Sequence, residues 1–252
     1  MPEYNIPNLK NACRILRFLG ELDVSKSVTE LAEALKLPRT SVLRIVKTLE
    51  SEGFLQDKGT GFQLGGALAA LGMKAAGNVD LRAAARPILE ALTRASNETC
   101  HLAIWDEGRA LIVEVAECPH PLRAASSPGT RAYAHASATG KVLLANRHAK
   151  ELSSILQEAD RVSLTPNTIT SLDGLKRELA KVVKLGYAID DEEYHVGVRC
   201  VAAPVFDSRS EVCAGIGITA SSARFTKKRT REFARMVRES AVELSRLLGG
   251  HD

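Results

Sequence analysis

Residues 27–53 read S-V-T-E-L-A-E-A-L-K-L-P-R-T-S-V-L-R-I-V-K-T-L-E-S-E-G, two helical periods joined by a tight break. In the first, Thr29 stands as the N-cap, and Glu30 and Glu33 suit the positive end of a helix. Leu31, Ala34 and Leu35 form its inward face. In the second, Val42, Ile45, Val46 and Leu49 recur at helical spacing, which leaves Arg39, Thr40, Ser41, Arg44 and Lys47 on the other face. Gly53 is placed as the C-terminal stop.

Upstream, residues 9–19 put Leu9, Cys13, Leu16 and Leu19 near one helical stripe, which ends at Gly20-Glu21-Leu22-Asp23. Downstream, F-L-Q-D-K-G-T-G-F-Q-L (54–64) is two strand-like pieces around a polar turn, a hairpin. Helix, helix, turn, helix, hairpin is a winged helix-turn-helix order. A helix with short polar groups and arginines at its amino-terminal end fits a DNA major groove if its apolar back rests on two supports. Lys58 at the hairpin tip is placed to meet a phosphate. Against this, trihelical cores also serve as protein-interaction modules, and cations on an exposed helix are usually a solvated face. Across the segment, Lys and Arg barely exceed Asp and Glu, so the basic feature is the helix alone. DNA is the better reading of the pattern.

The rest of the chain changes character. Residues 65–77 are rich in Ala and Gly, a connecting helix suited to close packing, and Asp80 starts an amphipathic helix running to Ala95. Strand-like runs follow at 100–105, 110–116, 186–190, 200–206 and 212–219, with helices expected at 140–147, 151–157, 171–185 and 226–248. This mixture is an α+β domain. The organisation expected is residues 1–64 for the winged helix-turn-helix, 65–79 for a linker helix and 80–252 for the second domain. With 252 residues, 45% hydrophobic and 25% charged, the composition is globular, and a formal charge of +4 permits nucleic acid without requiring it. No apolar run reaches membrane-spanning length and the first residues lack a signal peptide's pattern, so a cytosolic chain with no membrane partner is expected.

Three candidate chemistries fall within the second domain. H-A-S-A-T-G-K-V (135–142) imitates a phosphate loop, but His135 stands where the first glycine belongs and Val142 where Ser or Thr must hold magnesium. What remains is a helix start, capped by Ser137 or Thr139, whose free amides favour an anion. Cys200 with nearby His195 would be a nucleophile pair, yet the thiol lies in an apolar run where an inert buried cysteine is the commoner case. The five cysteines lack a disulfide or zinc spacing, and His101, His120, His135, His148 and His195 lack the usual ligand spacings. No metal or other cofactor is implied. In D-D-E-E (190–193) either a solvated loop or a pocket-facing Asp190 is consistent with the pattern.

Taken together, two regions resemble the IclR family of bacterial transcription regulators. One is T-E-L-A-E-A-L-K-L-P-R-T-S-V-L-R-I-V-K-T-L-E-S-E-G-F-L. The other is the ordered set P-G-T-R-A-Y-A-H-A-S-A-T-G-K-V-L-L-A, T-P-N-T-I-T, G-Y-A-I-D-D-E-E-Y-H-V-G-V-R-C-V-A-A-P-V-F-D and A-G-I-G-I-T-A. The resemblance covers nearly the whole chain. It implies a GAF-like effector-binding domain, a homodimer or dimer of dimers on palindromic double-stranded operator DNA, and a small-molecule effector, commonly a carboxylate. Major-groove contact then falls on Arg39, Thr40, Ser41, Arg44 and Lys47. Effector contact falls on Ala138, Thr139, Asp190, Val198, Cys200, Gly217 and Thr219. There are two departures from the family pattern: Ala138-Thr139 replaces a Gly-Ala pair, and Gly217 replaces a strand serine. Losing that hydroxyl removes a donor and leaves room, which points to a larger or aromatic acid rather than glyoxylate or pyruvate. The rival from another class is an enzyme or metal sensor centred on Cys200.

Overall fold

In the computed structural model, residues 6–22, 24–75, 79–121, 123, 126–147 and 161–250 are described. The helix expected at 151–157 and His148 lie outside them. The chain divides into two compact units, Met1–Val79 and Asp80–Asp252, with the connecting segment in the first.

The first unit packs α1 (Pro7–Gly20), α2 (Val28–Leu35) and α3 (Arg39–Ser51) against a hairpin of β1 (Leu55–Asp57) and β2 (Phe62–Leu64), followed by α4 (Gly66–Ala75). Its core joins Ile15, Leu19, Leu31, Val42, Val46, Leu55 and Phe62. Each such side chain contributes roughly 1.5–3 kcal/mol on full burial. The cap of α2 is Ser27 rather than Thr29. Its hydroxyl accepts from the Glu30 amide while the Glu30 carboxylate accepts from the Ser27 amide, a capping box that outcompetes a cap two residues later. Sequence spacing also misplaced part of α1 and α2. Leu9, Cys13 and Ala34 are exposed, because the buried stripes run through Ile15 and Leu19 and through Leu31 and Ala32. The turn between α2 and α3 needs a left-handed residue, and Lys36 supplies it at φ +53°. Gly53, also left-handed at +73°, follows α3.

The second unit is a six-stranded antiparallel sheet. Its strands are β3 (Thr99–Asp106), β4 (Arg109–Ala116), β5 (Arg131–Tyr133), β6 (Ala188–Asp191), β7 (Val198–Phe206) and β8 (Val212–Ser221), in the order β5-β4-β3-β8-β7-β6. Strand alternation sends Leu102, Val201, Ala203, Ile216 and Ile218 to one face, against α5 (Val79–Ser96) and α8 (Thr230–Leu247). The opposite face carries Cys200, Ala202, Gly215, Gly217 and Thr219, under α6 (Ala138–Arg147) and α7 (Leu172–Leu185). The asymmetry within β8, bulky on one side and small on the other, lets α6 approach closely: Thr139 lies about 3.5 Å from where a Gly215 Cβ would sit.

Candidate functional site

On the first unit, α3 begins at Pro38 without a side-chain cap, so its leading amides stay available to an outside acceptor. Arg39, Thr40 and Arg44 are exposed on one face and Ser41 is half-buried. Leu43 shares that face, 46% exposed, and sequence reasoning had passed over it although Thr40 and Lys47 flank it at helical spacing. Lys47 differs from its neighbours. Its ammonium donates to Glu50 at 2.8 Å, stands 3.8 Å from Asp57 and lies over the Phe62 ring, folding it toward the hairpin. The Glu50 hydrogen bond holds its pKa above the ordinary lysine value. Lys58 is exposed on the hairpin turn.

On the second unit, α6 starts in a buried setting. The Ser137 hydroxyl donates to Tyr133 O and accepts the Gly140 amide at 3.2 Å, so Ser137 is the cap. The amides of Ala138 and Thr139 donate to no acceptor among the described residues, and both residues are buried. Gly140 answers to packing rather than to phosphate, since a Cβ there would overlap the Ala134 backbone. Lys141 is fully buried; it donates to Ile189 O and to Glu193 at 2.6 Å, with Glu178 at 3.9 Å. This cation is already committed to internal carboxylates, which rules out the role of a phosphate-loop lysine.

Asp190, Cys200 and Thr219 come together on the sheet face below α6, because Asp190 pairs with Cys200 and Cys200 with Thr219 across adjacent strands. Asp190 is 1% exposed and accepts the Glu193 and Tyr194 amides at 2.7 and 3.1 Å. Burial pushes its carboxyl up to about 7, against the pull of Lys141 and of those amides. Glu193 is also raised by burial, and its Oε2 lacks a partner among the described residues. The turn bearing them is pinned by the T-P-N-T segment: Thr165 donates to Glu192 O at 2.7 Å and Thr168 to Glu193 O at 2.6 Å. The Cys200 thiol lies 3.0 Å from the Thr219 hydroxyl, and burial, then Asp190, drives its pKa well up. His195 is exposed and packs edge-on to Tyr194, so no thiolate–imidazole pair forms. Val198 is half-buried two residues before Cys200 on the same strand face.

One expectation requires correction. Gly217 does not leave an open space, because the His101 ring occupies it from the neighbouring strand, where the two residues pair in register. His101 is 5% exposed, and burial alone lowers its pKa to about 4, so it is neutral near pH 7. Sequence reasoning tested this histidine only as a metal ligand, although alternation with Leu102 places it on the α6 face. Tyr133 and Tyr194 stand 6.4 Å apart, with the Arg109 guanidinium 3.6 Å above the Tyr133 ring. Among the described residues, no group of three or more His, Cys, Asp or Glu is arranged to hold a metal. No helix there is long and apolar enough to cross a membrane.

Comparison with known proteins adds an independent line. Residues 9–59 match the IclR helix-turn-helix domain and residues 73–246 match the family described as bacterial transcriptional regulator IclR C-terminal. Over 249 residues the chain is 31% identical to the transcriptional repressor IclR of Escherichia coli, covering 97% of this chain and 91% of that protein. A crystal structure of the Thermotoga maritima IclR is similar at 32% identity and a TM-score of 0.71, covering 97% of this chain and all of that one. A likeness of fold extends to an IclR homologue from Microbacterium hydrocarbonoxydans complexed with 4-hydroxybenzoate, at 20% identity and a TM-score of 0.81. That match covers 96% of this chain and 98% of the other.

Proposed function

This chain belongs to the IclR family of DNA-binding transcriptional regulators, and from that premise we propose that it represses a catabolic operon under the control of a small organic acid. The DNA-binding part is residues 1–64, the linker helix 65–79 and the effector-binding part 80–252. Arg39, Thr40, Ser41 and Arg44 read and hold the major groove, Leu43 offers an apolar contact to a thymine methyl, and Lys58 meets a phosphate. Lys47, already engaged with Glu50, braces the hairpin and contacts DNA second. A homodimer, or a pair of dimers, matches its two-fold axis to a palindromic operator. The protein works in the cytoplasm.

The observation that carries the effector half is the polar row of buried Asp190, half-buried Cys200 and buried Thr219 beneath unfilled amides of Ala138 and Thr139. Buried polar groups are ordinarily satisfied. A carboxylate seated at the start of α6 would satisfy these amides, with Val198 and the His101 ring that fills the Gly217 position shaping the remaining space. An effector changes DNA binding only by favouring one arrangement of the protein over another.

The test is fluorescence anisotropy on a duplex from upstream of the protein's own gene, with pyruvate, benzoate and 4-hydroxybenzoate added in turn. Salt-sensitive duplex binding that at least one acid alters, and Thr139→Trp binding that no acid alters, are expected. Absence of duplex binding overturns the DNA half. Binding that every acid leaves unchanged overturns the effector half.

A further inference from the structure

The outer side of α8 is recessed where a terminal helix ordinarily presents a convex, solvated face. Arg231, Arg235, Arg238 and Arg246 line a cleft of about 750 Å³ beside Tyr187, on the side of the sheet away from Asp190, Cys200 and Thr219. Small-molecule sites commonly enclose roughly 300–1,000 Å³. Tyr187, Ala234 and Val242 contribute apolar surface to the lining. Arg231, Arg235 and Arg238 recur at spacings of four and three residues, so they are neighbours on one helix face, where like charges repel. Arg235 meets a carboxylate of the cleft, Glu239, at 3.6 Å. Arg231 and Arg238 are exposed and make no hydrogen bond, ion pair or ring contact among the described residues. Arg238 lies against the end of α7: its Nε is 3.5 Å from where a Cβ on Gly186 would sit, so the glycine that caps α7 makes room for it.

A row of like charges costs stability unless an anion joins it, and the lining sets that anion's charge. The four arginines outnumber Glu239 and Glu243 by two. We propose that this cleft is a second ligand site, for a small organic phosphate monoester. Its phosphoryl group meets Arg231 and Arg238 while its apolar body lies on Tyr187 and Val242. A phosphate monoester carries about −1.5 to −2 charge near pH 7 and three acceptor oxygens, enough for two guanidinium forks. A monocarboxylate carries one charge and leaves one fork unmatched. Inorganic phosphate matches the charge but leaves the apolar lining to water. A nucleic-acid backbone supplies diesters of one charge each. The site is separate from the seat proposed at the start of α6, because the two lie on opposite sides of the sheet.

The test is isothermal titration calorimetry on the full chain in phosphate-free buffer at about 0.15 M salt, with phenyl phosphate and inorganic phosphate as probes. Phenyl phosphate should bind wild type more tightly than inorganic phosphate does. Arg231→Gln combined with Arg238→Gln should weaken it by about 10-fold or more, with no fall in the melting temperature of the free protein. Lys227→Gln combined with Lys228→Gln removes equal charge just before α8 and outside the cleft, and should change the affinity by less than about twofold. Absence of phenyl phosphate binding to wild type overturns the proposal. Equal affinity of wild type and the arginine variant does so too, since the ligand would then sit elsewhere. Equal weakening by the lysine variant would reduce the effect to general attraction and likewise sink it. If inorganic phosphate binds as tightly as the ester, the apolar lining recognises nothing and the proposal fails. Displacement of the ester by a random-sequence duplex would assign the arginines to nucleic acid instead.

Discussion

Helices α3 and α6 open on similar words, P-R-T-S-V and S-A-T-G-K, yet they belong to opposite electrostatic regimes. At α3 the cations stand in water: Arg39 and Arg44 are exposed, the first amides lack a side-chain cap, and nothing internal claims the arginines among the described residues. At α6 the cap is supplied by Ser137, the apolar residues are buried on all sides, and Lys141 is locked against Glu193. Exposed cations cost little to maintain and act on a polyanion through counterion release. A buried cation must repay its dehydration through a partner at short range. On the function proposed above, the same residue types therefore make an open surface for a long charged ligand in one unit and a closed seat for a small one in the other.

The contrast breaks most sharply at Lys141. Lys141→Met strands the Glu193 carboxylate in the interior and should cost about 3–5 kcal/mol of second-unit stability, read from urea denaturation of the full chain. Glu193→Gln added to it should regain part of the loss. A smaller effect comes from Asp190, whose pKa rises from 3.8 to about 7 on folding. A raised carboxyl contributes stability that is fully present below its unfolded value and is lost as pH rises through about 7. Between about pH 5 and about pH 8 the wild type should lose on the order of a few kcal/mol relative to Asp190→Asn, which retains the oxygen that accepts both amides. Parallel pH profiles for the two proteins would show that Asp190 does not titrate in this window.

At α3 the expected pattern inverts, with binding lost and folding spared. Arg44→Ala should weaken operator binding by about 1–3 kcal/mol, and by about one phosphate's worth of salt dependence if it meets the backbone, while the melting curve stays put. A melting change larger than the binding change would place Arg44 with Lys141 instead. The smallest effect is a gain. Lys36→Gly should stabilise the first unit by about 0.5–1 kcal/mol, because glycine accepts the left-handed turn conformation without the Cβ penalty. Chemical denaturation followed by far-ultraviolet dichroism would register it.

The two units were not equally legible. In the first, apolar side chains recur within one or two turns of one another, so periodicity alone delivered three helices and the hairpin. Its errors were local: Thr29 and Ser27 are both cap residues, and only the Glu30 side chain, three residues after Ser27, decides between them. The α+β character of the second unit was also readable, although β5, with three residues, is too short to show alternation. Asp190, Cys200 and Thr219 were nominated together by family resemblance, and the strand pairing that joins them could not be derived from spacing. His101 escaped because its significance depends on a partner strand far along the chain, and Lys141 because nothing in G-K-V-L-L-A says whether the lysine turns inward.

That distance has a consequence for the order of events during synthesis. The hydrogen bond between His101 and Thr219 spans 118 residues, whereas the one that ties the hairpin turn to the segment before α2, Ser25 to Thr60, spans 35. Contacts so unequal in sequence separation form at different times, and domains emerging first from the ribosome fold first. The DNA-binding unit can be complete while β8 is still untranslated. On the proposed function, a chain interrupted before Thr219 would carry a finished reading head and no sensor, a regulator deaf to its signal.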